Sequence, residues 1–328
     1  MPIAPDDLAT ARQQLDTLRA EVGKALVGQR EVLDQLLVAL LASGHVLIEG
    51  VPGLGKTLMA RALAQALAIK QARIQFTPDL MPGDIIGHVV LDPAGNQGVG
   101  SLRVRPGPVF TNLLVADEIN RAPAKTQSAL LEVMQEGQVT LEGRTLALPQ
   151  PFLVMATQNP LDTEGTYALP EAQLDRFLFK ITIDYPGADE ETAVVRHATT
   201  ERIGDKLPLE AVQPVMDGAA LQALQRRVVE VRVDERVSDY AVRIVRATRG
   251  AQGLAIGAGT RAAIALVRAG RAAALLAGRD FVTPDDVKAW VLPTLRHRVW
   301  LSPDAQLEGR RIDPLLSRLA DAVDAPRL

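Results

Sequence analysis

The sequence predicts an α/β core domain followed by an all-helical domain. Short apolar runs alternate with helical patterns up to about residue 186, which favours a parallel sheet covered by helices on both faces. Beyond that point the apolar residues recur at helical spacing. A length of 328 residues also suits two domains of roughly 100–200 residues each. We therefore place the core at 1–186 and the helical domain at 187–328.

Five short strand-like runs are the candidate strands of the core. The first is a short apolar run that ends at Gly50, which indicates a buried strand, and similar runs recur along the chain. Helical segments separate several of them, so we predict a five-stranded parallel sheet. The runs are His45–Glu49, Arg73–Phe76, Leu113–Asp117, Phe152–Thr157 and Phe177–Ile183.

Two segments interrupt this alternation and are interpreted as insertions. Residues 78–108 are rich in Gly and Pro and contain short alternating runs. Residues 137–149 contain two alternating runs on either side of Glu142-Gly143-Arg144, which predicts a β-hairpin.

The second domain begins after Tyr185-Pro186-Gly187, and two of its helices begin with identifiable signals. Thr283 stands before Pro284 and two acidic residues, the pattern of an N-cap and first helical turn. Thr260 is a candidate cap for the helix that contains Arg261. The predicted helices cover 188–204, 218–230, 236–250, 260–277 and 283–297.

Composition excludes several classes of protein. The net charge of −3 does not indicate a nucleic-acid binder, and the lack of cysteine excludes disulfides and thiolate chemistry. No uncharged run reaches about 18 residues and the N-terminus has no signal-peptide pattern, so we expect a cytoplasmic protein without a membrane span. The histidines show no metal-ligand spacing and are interpreted as structural: His45, His88, His197 and His297.

The most specific motif follows the first candidate strand and opens a helix. Residues 50–57 read Gly-Val-Pro-Gly-Leu-Gly-Lys-Thr and fit the phosphate-binding pattern G-x4-G-K-[ST]. Its glycines let backbone N–H groups turn toward phosphate oxygens, and the helix presents its positive end. We predict that Lys56 binds the β- and γ-phosphates and Thr57 binds Mg²⁺. The predicted nucleotide-binding residues are Gly50, Val51, Pro52, Gly53, Leu54, Gly55, Lys56, Thr57 and Leu58.

A second element, the run from Leu113, ends in two carboxylates. We predict that Asp117 holds the magnesium ion through water and that Glu118 orients and polarises the attacking water. An acidic pair at a strand end is often only a solvated turn. Its place downstream of a phosphate-binding loop favours the catalytic interpretation.

Three further polar residues are candidates for catalysis. Asn159 follows the fourth strand, where strand ends converge on the ligand crevice, although a plain Asn-Pro turn is the alternative. Arg176 precedes the fifth strand and suits an arginine finger that reaches a neighbouring subunit, with Arg121 as a competing candidate. Arg261 opens a helix of the second domain, where the alternative is a solvated side chain.

These motifs together resemble the MoxR family of AAA+ ATPases over nearly the whole chain. Gly50–Thr57 resembles its Walker A motif and Val115–Arg121 its Walker B block. Ala156–Pro160 is similar to sensor 1, Leu169–Phe177 to the arginine-finger segment and Gly257–Arg261 to sensor 2.

Other parts of the chain carry the resemblance further. Val27, Gly28 and Gln29 resemble the segment that contacts adenine in the family. The two insertions are similar in position to its helix-2 insert and pre-sensor-1 hairpin. The chain has Gly259-Thr260 where the family commonly has Ser-Pro before the sensor arginine.

The resemblance implies a P-loop AAA+ core with a helical lid, ATP and Mg²⁺ as cofactors, and a hexameric ring. It also implies chaperone-like remodelling or maturation of a protein complex, with a von Willebrand factor A domain protein as partner. The alternatives are a chelatase-type motor subunit, a nucleic-acid translocase of the same clade and a scaffold that binds ATP without turnover. The presence of Glu118 argues against the scaffold.

Overall fold

A five-stranded parallel sheet forms the centre of the core, as the sequence predicts. The structure is a computed structural model and describes residues 3–26, 28–51, 53–92, 101–160, 165–199, 207 and 209–327. Its strands are β1 (His45–Glu49), β2 (Gln71–Gln75), β3 (Gly87–Asp92), β4 (Ser101–Pro106), β5 (Leu113–Asp117), β6 (Gln138–Leu141), β7 (Arg144–Ala147), β8 (Leu153–Gln158), β9 (Phe177–Thr182), β10 (Leu254–Ile256) and β11 (Trp300–Leu301).

Helices precede the sheet, connect its strands and make up most of the C-terminal part. They are α1 (Pro5–Gly23), α2 (Arg30–Leu41), α3 (Lys56–Ala66), α4 (Pro82–Ile86), α5 (Ala124–Glu136), α6 (Glu171–Leu174), α7 (Ala188–Thr199), α8 (Gly218–Glu230), α9 (Glu235–Ala247), α10 (Thr260–Leu276), α11 (Pro284–Ala289), α12 (Val291–Leu295), α13 (Pro303–Leu307) and α14 (Ile312–Asp321). Among the described residues, no helix is long and apolar enough to cross a membrane.

The sheet has the strand order β2-β5-β8-β1-β9. The parallel strands all begin on one side of the sheet and end on the other, and these two sides carry different residues. The side on which the strands end is called the carboxyl edge, and Glu49 pairs there with Gln158 and Thr182. We call the edge where the strands begin the amino edge; His45 pairs there with Phe177. A strand of five residues separates the two edges by roughly 16 Å.

Alternating side chains bury both faces of the sheet. In β1, Val46 and Ile48 belong to one apolar cluster and Leu47 to the other, because successive side chains point to opposite faces of a strand. The larger cluster joins α1, α2 and α3 to helices of the C-terminal part. The smaller cluster lies against α5.

Both predicted insertions contain antiparallel hairpins. β3 pairs with β4 after the short helix α4, and residues 93–100 between them lie outside the described residues. β6 pairs with β7, and Glu142 and Gly143 form the exposed two-residue turn. Both turn residues have positive φ, as this class of hairpin turn requires.

The C-terminal part differs from the prediction in detail. The segment predicted as one helix over 283–297 is broken at Trp290, because Pro293 has no N–H to continue the helical hydrogen bonds. Thr283 caps α11 as predicted, whereas Gly259, not Thr260, is the N-cap residue of α10. The short pair β10–β11 and the helices α13 and α14 were not predicted.

The C-terminal helices α7 to α14, which we call the lid, are docked on β9, an outermost strand of the sheet. Trp290 stacks on Phe179 with ring centroids 5.3 Å apart. Arg296 donates to the carbonyl of Lys180 and the hydroxyl of Thr182. The lid therefore covers the edge of the sheet that would otherwise be open.

Candidate nucleotide-binding site

The loop between β1 and α3 lies at the carboxyl edge and has the backbone of a phosphate cradle. Gly53 and Gly55 have φ values of +87° and +73°, a region that only glycine adopts without strain. A Cβ atom on Gly50 would lie 2.7 Å from the carbonyl oxygen of Ile183, so the loop also needs glycine for close approach. Val27 and Pro52, both predicted to bind nucleotide, lie outside the described residues.

Lys56 is the first residue of α3 and its ammonium folds back on the loop. Its Nζ donates to the carbonyl of Gly50 at 2.5 Å. Partial burial lowers the pKa of Lys56, and the carboxylates of Asp117, Glu118 and Glu49 oppose that shift. Thr57 and Leu58 follow in the same helical turn. The ammonium therefore lies among carboxylates at the point where the loop would surround a phosphate.

Asp117 ends β5 and is held by two neighbouring strands. Arg73 on β2 donates to its Oδ2 at 2.5 Å, and the hydroxyl of Thr157 on β8 donates to its Oδ1 at 3.1 Å. The same hydroxyl accepts from the backbone N–H of Glu118 at 3.0 Å. Thr157 thus fixes both acidic residues relative to β8.

Glu118 has a strained backbone, with φ 55° and ψ 49°. This left-handed conformation costs a non-glycine residue about 1–2 kcal/mol and often occurs at functional sites. Its carboxylate pairs with the guanidinium of Arg121 at 2.8 Å and accepts from the side-chain amide of Gln75 at 2.9 Å. Arg121 and Gln75 therefore fix the position of the Glu118 carboxylate.

Asn159 and Gln29 complete the carboxyl-edge arrangement. Asn159 is buried directly after β8, between the ends of β1 and β5. Gln29 donates to the carbonyl of Leu54 at 2.9 Å, which ties the predicted adenine segment to the phosphate loop. The Oε1 atom of Gln29 is buried without a partner among the described residues. Neighbouring Gly28, with φ +74°, lies against the carboxyl group of Glu190.

These features fit a nucleoside triphosphate. The cradle supplies backbone N–H groups and an ammonium, and the orphaned acceptor of Gln29 suits a donor such as the amino group of a base. Asp117 and the hydroxyl of Thr57 are oxygen ligands of the kind that Mg²⁺ binds together with phosphates.

Comparison with known proteins agrees with this geometry. Residues 45–179 match the model of the ATPase family associated with various cellular activities (AAA), and residues 246–319 match the AAA lid domain. The chain is 45% identical to YeaC of Bacillus subtilis, over 93% of this chain and 92% of that protein. It is 43% identical to the chaperone MoxR1 of Mycobacterium tuberculosis, over 100% of this chain and 86% of that protein. The chain belongs to the MoxR family of AAA+ ATPases.

A solved structure shares the same architecture. A Cytophaga hutchinsonii protein described as a candidate ATPase superposes with a TM-score of 0.88 at 39% identity, covering 98% of this chain and 97% of that one. The structural likeness therefore extends over the core and the lid together.

In this MoxR-family chain, two predicted site residues lie away from the phosphate loop. Arg176 directly precedes β9 and so lies at the amino edge, roughly 16 Å from the carboxyl edge. Arg261 lies at the same edge, with its guanidinium 3.5 Å from the carboxylate of Asp175, the residue before Arg176. The structure brings Arg261 to Asp175, the residue before Arg176, so both arginines belong to the amino edge and not to the phosphate loop of their own chain.

Several residues of this MoxR-family site were missed by sequence reasoning. Arg73, Gln75 and Thr157 reach Asp117 and Glu118 from other strands. Their identities alone carry no signal, because an Arg, Gln or Thr within a strand is common on any sheet. Only the parallel register, in which Gln75 pairs with Asp117, places them at the site.

Proposed function

We propose that the protein hydrolyses ATP to ADP and phosphate at sites shared between neighbouring subunits of a ring. The observation that carries the proposal is the separation of two groups of residues. Lys56, Asp117, Glu118 and Asn159 lie at the carboxyl edge, whereas Arg176 and Arg261 lie at the amino edge. A head-to-tail ring would bring the amino edge of one subunit to the carboxyl edge of the next.

The carboxyl edge would supply binding and water activation. Lys56 would exchange the Gly50 carbonyl for the β- and γ-phosphates, and Thr57 and Asp117 would hold Mg²⁺. The magnesium ion supplies charge that stabilises the transferring phosphoryl group. Glu118 would orient and polarise the attacking water, with Asn159 beside the γ-phosphate.

Glu118 must leave its present partners to reach that water. The ion pair with Arg121 and the hydrogen bond from Gln75 hold its carboxylate to one side. We interpret this arrangement as a resting state in which the water-activating carboxylate is held away from its catalytic position.

The amino edge would supply the remaining positive charge. Phosphoryl transfer requires little covalent chemistry from the protein, so its rate depends on charge placed against the transition state. Arg176 would act as the finger toward the neighbour's phosphate, and Arg261 would accompany it from the lid.

The biological role follows the family. Hydrolysis would drive motion of the lid, proposed to begin after residue 186, for chaperone-like remodelling of a protein complex. One relative is itself called a chaperone, which supports this role. A hexameric ring, a von Willebrand factor A domain partner and a cytoplasmic location remain predictions from the resemblance and the sequence.

Mixed rings test the shared site. Arg176→Ala subunits keep an intact pocket but lose the finger, and Lys56→Ala subunits keep the finger but lose the pocket. Each variant alone should hydrolyse ATP slowly, and mixing them should restore part of the rate. At equal amounts, roughly a quarter of the interfaces join an intact pocket to an intact finger. Proven subunit exchange without recovery at any ratio would overturn the proposal.

A further inference from the structure

Arg298 of the lid lies at the amino edge and donates hydrogen bonds from all three nitrogens of its guanidinium. Its side chain is 4% exposed. Its guanidinium donates to the carbonyls of Asp175, Phe177, Leu178 and Thr294, at 2.5–3.2 Å. Three of these carbonyls belong to the turn and strand on either side of Arg176, so the fork of Arg298 grips the backbone next to the finger.

A side-chain ion pair completes this grip. Arg298 Nε lies 2.6 Å from Oδ1 of Asp175, and Arg261 approaches the other oxygen, Oδ2, at 3.5 Å. Asp175 immediately precedes Arg176 in the chain. Two lid arginines therefore hold the residue next to the finger, one buried and one exposed.

Burying the charged guanidinium of Arg298 costs free energy, so its presence here calls for a role beyond stability. Burial disfavours the charged guanidinium and lowers the pKa of Arg298, and the hydrogen bond and charge of Asp175 offset only part of that shift. The Asp175 side chain is 33% exposed, so the pair is buried on the Arg298 side only, and an ion pair of this kind adds little net stability, which makes stability alone a weak reason for its presence. A planar fork with a fixed geometry is instead suited to fixing an orientation.

We propose that Arg298 is a positioning residue that fixes the Asp175–Arg176 turn, and with it the finger that reaches the neighbouring subunit's phosphates. This inference rests on the proposed trans role of Arg176. Because Arg298 belongs to the lid, movement of the lid in one subunit changes the placement of the finger in the next subunit's site. The lid thereby couples neighbouring sites.

The test is whether the defect of an Arg298 variant lies on the finger side of the interface. Arg298→Lys keeps the charge but loses the fork. A displaced finger should lower kcat by about 10–100-fold and leave the KM for ATP near the parent value. Mixing Arg298→Lys with Lys56→Ala should restore activity, and mixing it with Arg176→Ala should not, because both of those variants lack a working finger.

Arg296→Lys is the matched control. Arg296 also docks the lid on β9, but it binds Lys180 and Thr182 and not the turn before Arg176. Mixing Arg296→Lys subunits with Lys56→Ala subunits should therefore not restore any activity that Arg296→Lys has lost. If Arg298→Lys does not assemble, Asp175→Asn serves in its place, since it removes the charge and keeps an acceptor oxygen.

The outcomes separate this inference from the function it rests on. If Arg176→Ala recovers with Lys56→Ala but Arg298→Lys and Asp175→Asn do not, the shared site stands and Arg298 has a structural role only. A parent-like kcat for Arg298→Lys would also overturn the inference. If Arg176→Ala itself fails to recover, the shared site falls and the positioning role falls with it.

Discussion

The side-chain amide of Gln75, at the end of β2, donates a 2.9 Å hydrogen bond to the carboxylate of Glu118, just beyond the end of β5. Arg121 binds the same carboxylate oxygen at 2.8 Å. In the proposed mechanism these contacts compete with the water that Glu118 must orient. Breaking one of them should therefore favour the active position of Glu118.

We expect Gln75→Leu to raise the basal ATPase rate. The net value of one hydrogen bond, about 0.5–1.5 kcal/mol, corresponds to an increase of roughly twofold to tenfold. Steady-state rates at saturating ATP measure it. Gln71→Leu is the control, because Gln71 lies on the same strand at the opposite edge and should leave the rate unchanged. A lower rate for Gln75→Leu would show that the amide assists catalysis.

Substitutions of Lys56 and Glu118 should block different steps of the ATPase reaction. Lys56→Ala should abolish ATP binding, because the β- and γ-phosphates lose their charged partner. Glu118→Gln should bind ATP and lose turnover by about 100-fold or more, the usual scale for a positioned general base. Binding titrations and ATPase rates on both variants separate the two steps. Parent-like turnover by Glu118→Gln would assign water activation to another residue.

Acid should destabilise the fold through two histidines, the partly buried His45 and the buried His297. His45 lies between Met134 and Val154, accepting from the Val154 N–H and contacting the Met134 carbonyl. Burial lowers its pKa from 6.5 to about 4. Burial also lowers the pKa of His297, with Arg298 as a further cause. The unfolded chain therefore binds more protons than the folded chain below pH 6.5.

It follows that stability is complete above pH 6.5 and falls as the pH is lowered toward 4. For His45 the loss is about 1.4 kcal/mol per pH unit, or about 3 kcal/mol in all. Denaturant unfolding at several pH values measures it. His45→Gln should flatten the slope, leaving the part due to His297. An unchanged slope would show that His45 does not contribute.

The sequence predicted those parts of the molecule that local spacing determines. The five strands lie within two residues of their predicted bounds, and the glycines of the phosphate loop have the backbone conformations that the motif requires. Thr157 shows the limit of such reasoning. Its hydroxyl holds both Asp117 and Glu118, yet it is 40 residues away in the chain from Asp117, and only strand register brings them together.

The amino edge shows the same limit at longer range. Arg261 and Arg298 both bind Asp175, from 86 and 123 residues away. Their contact depends on how the lid docks on β9, which no local pattern encodes. The sequence could therefore offer Arg261 as a candidate, but it could not say which edge of the sheet it serves.

Two glutamates share the left-handed backbone conformation, Glu118 beside the phosphate loop and Glu142 in the exposed turn of the second hairpin. Asparagine tolerates this conformation better, and Asn-Gly is favoured in such a turn. Glu142→Asn should therefore raise the free energy of unfolding by roughly 0.5–1 kcal/mol and leave ATPase activity unchanged. Glu118→Asn should remain folded but lose turnover. Thermal melts with ATPase assays compare them; activity lost in Glu142→Asn would place the hairpin tip in the catalytic cycle.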